Sequence, residues 1–107
     1  MTEFQLQFLI WESQFASGVD PSKIQMFLFG LVKLKQRFNE LKEVVSGNKP
    51  PQIVDAEKKS IAATIKDFAE RAIRNLSNEE RNYLSSKARV RPEYLDPKFW
   101  FNQLAHS

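Results

Sequence analysis

The residues in this chain best suited to chemistry are Lys87, Arg89 and Arg91, placed at alternate positions beside Tyr94 and near Trp100. Cations interleaved with aromatic rings can hold phosphates and stack bases, so these three are the nucleic-acid contact that the sequence offers. The same cations also suit a helix C-terminus, where the helix dipole favours positive charge. Other sites lack parts. His106 is the only histidine, which argues against a histidine metal site or a Ser/His/Asp triad. Glu79-Glu80 is the only adjacent acidic pair, and it falls where first-turn acids complement a helix dipole. Gly18, Gly30 and Gly47 stand alone and build no phosphate-cradling loop. The chain has no cysteine, hence no disulfide framework and no thiolate ligand or nucleophile. The expectation is a non-enzymatic protein with no cofactor, no metal and no small-molecule substrate.

The elements that would position these residues are helices. Ile24, Phe27, Leu31, Leu34, Phe38, Leu41 and Val45 alternate spacings of three and four without exception. That is the a/d seam of a helix packed lengthwise on other helices. Asp20-Pro21 opens this helix, with Asp as N-cap and Pro at the first helical position, and Ser46-Gly47-Asn48 closes it. Thr2 with Gln5 and Ser77 with Glu80 are capping boxes. The first opens a helix running to about Ala16, and the second a shorter one to about Lys87 or Ala88. Between them a helix from about Asp55 to Leu76 carries Val54, Ile61, Ile65, Phe68, Ala72 and Leu76 on one side. Lys49-Pro50-Pro51 reads as a stiff extended connector. In the aromatic segment 89–107, Pro92 and Asp96-Pro97 leave room for one helical turn and a terminal helix to about Ala105. The fold expected is all-α: a single domain over residues 1–107, a compact bundle of four to five helices with one long central helix at about residues 21–45.

Bulk numbers agree with a single small domain. The chain has 107 residues, 42% hydrophobic and 27% charged, with nine Phe and a formal charge of +3. That excess is mild; it permits a polyanion partner without requiring one. The apolar run Met26–Phe29 ends at Gly30, far short of a membrane span, and Met-Thr-Glu-Phe lacks the basic start of a secretory signal. The expected setting is cytoplasmic, with no membrane partner.

Two helices carry more apolar surface than one core needs. On the first, Phe4, Phe8, Trp11 and Phe15 form one face and Leu6, Leu9 and Ile10 the opposite one. On the long helix, Phe29 lies about 160° from the centre of the seam and Met26 about 100° away on the other flank. At roughly 37 Å the long helix equals or exceeds the diameter of a compact domain of this size. Contiguous exposed apolar patches mark interfaces, and Trp is a favoured anchor residue. The partner surface expected is Leu6, Leu9, Ile10, Met26, Phe29 and Trp100, binding a second copy or another protein.

Two short stretches resemble nucleic-acid proteins. Leu84 to Leu95 resembles the core of a bacterial helix-turn-helix, with a small residue, a Val and a trailing Tyr-Leu at suitable offsets. It departs from that pattern at Arg89, where the family prefers Gly, and at Asp96-Pro97, which leaves the recognition helix barely one turn. Asp20 to Phe27 is similar to a helix opening in the small helical subunits of RNA-guided (CRISPR) effector complexes. Those subunits line a nucleic-acid channel through basic helical faces. These resemblances imply the alternative function, a ribonucleoprotein accessory or nucleic-acid-binding subunit using Lys87, Arg89 and Arg91.

Overall fold

The computed structural model describes residues 2–107, and among these it is all-helical. Helix α1 (Glu3–Ser13) starts at a complete capping box: the Gln5 N–H donates to Thr2 Oγ1 at 3.1 Å and the Thr2 N–H to Gln5 Oε1 at 2.8 Å. Helix α2 (Pro21–Ser46) begins with Asp20 accepting from the Ser22 N–H at 2.9 Å. Helix α3 (Pro51–Phe68) continues into a π-helical turn at Ala69–Ile73. Helix α4 (Asn78–Ser86) follows, capped by Ser77. A 3-10 turn at Pro92–Leu95 then leads to α5 (Pro97–Ala105), with Asp96 as N-cap.

Three boundaries differ from expectation, one of them the end of the third helix, at Ile73 rather than Leu76. Helix α3 starts at Pro51, four residues early, so Lys49-Pro50-Pro51 is not an extended connector throughout. Pro lacks only a donor that the first turn leaves unused, so Pro51 is well placed at the first helical position. Helix α1 stops at Ser13, three residues short of Ala16, where the buried Ser13 hydroxyl donates to the Ile10 carbonyl at 2.6 Å. A hydroxyl bonded back to its own helix competes with continued backbone pairing.

The α2 seam is the spine. Ile24, Phe27, Leu31, Leu34 and Leu41 are buried against α3 and its neighbours, Phe38 is partly buried, and Val45 in the last turn is exposed. Leu28, outside the seam, is buried too, on the side of α2 that faces Leu6 of α1. On the α3 side, the wider π turn brings both Ala72 and Ile73 into the core behind Phe68. Arg81 closes that end, its Nη2 donating to the Ile73 carbonyl at 2.9 Å. Gly30 makes room for the Phe68 ring: an added Cβ would stand 2.7 Å from Phe68 Cδ1.

The molecule measures 50 × 26 × 18 Å, with a radius of gyration of 15.1 Å. A compact domain of this length would have about 13 Å. The shortest dimension admits two layers of helices, which stand roughly 8–10 Å apart when packed. Helix α2 packs against both α1 and α3, whereas α1 packs mainly on α2. A second apolar face on α1 therefore stays outside.

Candidate interaction surface

That condition decides which face of α1 is free. Leu6 is 6% exposed, and Leu9 and Ile10 pack partly buried against the core. Phe4, Phe8, Trp11 and Phe15 are 78%, 50%, 56% and 69% exposed. The expected surface is thus corrected: Leu6, Leu9 and Ile10 hold α1 to the bundle, and the aromatic face opposite them is the free one. The two faces have similar hydrophobicity, so composition does not choose between them. Leu6 faces Leu28, Leu31 and Val32 of α2, and Leu9 and Ile10 pack against the core beside it.

Three of the free rings form a ladder, and Phe4 lies beyond Phe8 at its N-terminal end. Phe8 and Trp11 lie 6.0 Å apart between centroids, and Trp11 meets Phe15 edge-on at 5.1 Å. Helix α4 meets one flank, where the Tyr83 hydroxyl donates to the Leu9 carbonyl at 2.7 Å. Burial, with a smaller push from the Glu12 carboxylate, raises the Tyr83 pKa, so this phenol stays a neutral donor. Glu12 therefore stands on the α4 side of α1.

The opposite end of α4 is basic. Phe4, Gln5, Phe8 and Leu9 of α1 face Lys87, Ala88 and Arg89 across an open groove of about 540 Å³. Arg89 has φ +54°, a left-handed conformation that ends α4 and that a Gly would adopt with less strain. The helix-turn-helix pattern prefers Gly here for that reason. Past the turn, though, Pro92–Leu95 is a single 3-10 turn, so no recognition helix follows.

The predicted basic cluster is split. Arg91 does not join Lys87 and Arg89. It pairs with Glu93 at 2.7 Å and lies 5.7 Å from the Tyr94 ring centroid. It lines a separate groove of about 350 Å³ with Lys35, Lys42, Phe38 and Trp100. Trp100 is also corrected as a partner anchor. It is 4% exposed, donates from Nε1 to the Tyr94 carbonyl at 3.0 Å, and packs on Phe38 and Phe99. An indole with its donor satisfied inside the fold closes the bundle end rather than reaching outward. Met26 and Phe29 are exposed on α2, as expected, with Met26 in a shallow groove against Phe68 and Arg71 on the α3 side.

No helix among the described residues is long and apolar enough to cross a membrane. No protein-family model, curated protein or solved structure matches the chain.

Proposed function

We propose that this chain is a small non-enzymatic interaction protein of the cytoplasm that self-associates through the outer aromatic face of α1. One observation carries the reading: four large aromatic side chains on one short segment are each at least half exposed. Isolated exposed apolar residues are ordinary, but a contiguous aromatic ladder marks a contact surface. Rings of this size bury about 150–250 Å² each when fully covered, and these four are half to four-fifths exposed, so they offer roughly 500 Å² per chain and about 1,000 Å² for a pair. That meets the lower bound of a specific interface and fits a reversible dimer. Light scattering of the wild-type chain across a concentration series tests the reading. The mass is expected to rise toward a dimer, and Phe8→Glu to remain a folded monomer. A wild-type chain monomeric at millimolar concentration overturns it.

A second reading, polyanion binding, is favoured by the groove where Lys35, Lys42 and Arg91 surround Tyr94, with Lys35 Nζ 4.9 Å from its ring centroid. It predicts RNA or DNA binding that weakens steeply with salt and is lost in a Lys35/Lys42/Arg91 triple Ala variant. Absence of binding at low salt removes it.

A further inference from the structure

We infer that two copies of this chain pair their α1 helices antiparallel about a two-fold axis, with Glu12 of each facing Lys87 and Arg89 of the other. The inference rests on the self-association proposed above and specifies its geometry.

The argument begins with charge. Residues 2–19 contain no Lys or Arg, and their only charges are Glu3 and Glu12. On a helical wheel Glu12 sits about 70° from the centre of the aromatic face, on the flank shared by Gln5 and Leu9. That is the flank α4 meets, where the Tyr83 hydroxyl donates to the Leu9 carbonyl. Lys87 and Arg89 stand on the same flank at the other end, beside Phe4 and Phe8. The surface around the ladder is therefore dipolar along one side: acidic near Trp11 and Phe15, basic near Phe4. Among the described residues neither Glu12 nor Lys87 nor Arg89 enters an ion pair within the chain.

Symmetry then selects one arrangement. A two-fold axis lying across the helices within the interface reverses their direction and keeps each flank on its own side. The acidic end of one copy comes to rest over the basic end of the other, twice. A two-fold axis parallel to the helices moves each flank to the opposite side, and the charges miss. Only the antiparallel pair is self-complementary, as an isologous interface must be. The groove between Phe4, Phe8 and Arg89 then receives the Trp11–Phe15 end of the second copy.

Charge reversal tests the pairing. Glu12→Lys alone and the double variant Lys87→Glu/Arg89→Glu alone should each dimerise at least roughly tenfold more weakly than wild type, since each homodimer sets like charges together twice. Mixed in equal amounts, the two should recover a heterodimer near wild-type strength by analytical ultracentrifugation, because every reversed charge meets its opposite. The wild-type dimer should also weaken between about 20 and 500 mM salt. If wild type dimerises but the mixture gains nothing, or salt leaves the dimer unchanged, the antiparallel pairing is wrong and the aromatic interface stands. If wild type does not associate at all, the underlying self-association fails with it.

Discussion

Glu80 Oε2 accepts the backbone N–H of Asp20 at 2.9 Å, although the two residues are sixty positions apart. Its other oxygen takes the Ser77 N–H at 2.7 Å and lies 3.9 Å from Lys23 Nζ. One buried carboxylate thus completes the cap of α4 and fastens the start of α4 to the start of α2. Since α4 carries Tyr83 and leads directly into Lys87 and Arg89, this anchor also sets the flank of the α1 surface.

The anchor gives stability a pH dependence of known sign. Burial alone would raise the Glu80 pKa, but the N–H donors of Ser77 and Asp20, with smaller contributions from the Ser77 side chain and Lys23, lower it overall. A lowered folded-state pKa contributes stability above the ordinary glutamate value of about 4.3, and that stability is lost as pH falls toward the folded value. Urea midpoints measured at pH 7 and pH 3.5 should show Glu80→Gln already weakened by about 2 kcal/mol at pH 7 and losing less than wild type on acidification. Equal losses would show that Glu80 is not the group responsible.

Gly30→Ala should destabilise, against the usual helix preference. Ala gains about 1 kcal/mol inside a helix. Its Cβ would meet Phe68 Cδ1 at 2.7 Å and Cε1 at 2.9 Å, and Phe68 is buried with its ring 5.2 Å from that of Phe27. Overpacking of this kind costs about 1–3 kcal/mol, so a net loss of about 1 kcal/mol is expected in thermal or urea melts. A more stable Gly30→Ala would mean that the ring moves aside freely.

Arg89→Gly should separate folding from association. Releasing a non-Gly residue from the left-handed conformation is expected to stabilise the monomer by about 0.5–1 kcal/mol. The same change removes a charge from the basic end of the ladder, so the dimer should weaken. A variant that is both less stable and equally associated would refute the role given to Arg89.

The seam and the caps were legible in the sequence because each is a local pattern. Ile24 to Val45 repeats at the helical period, and Thr2/Gln5 and Ser77/Glu80 each satisfy their own helix end. What the pattern left open depended on tertiary choices. Leu6 and Phe8 are both apolar, and only the two-layer packing decides that Leu6 faces α2. Ile73 enters the core because the backbone widens into a π turn, which shifts the helical register. Arg91 reads as one of a trio with Lys87 and Arg89 until the chain turns at Arg89 and carries it to the other groove. The long-range bond of Glu80 to Asp20 leaves no trace in local spacing.

The most direct test of the α1 surface uses the two tryptophans the chain already has. Trp100 is 4% exposed and Trp11 is 56% exposed, so a soluble quencher such as acrylamide reads mainly Trp11. Quenching followed over a concentration series from about 1 µM to 1 mM should fall, with the emission shifting to the blue, as the ladder is covered by a second copy. Quenching that stays constant over that range while Trp11 remains open to solvent would contradict self-association through this face.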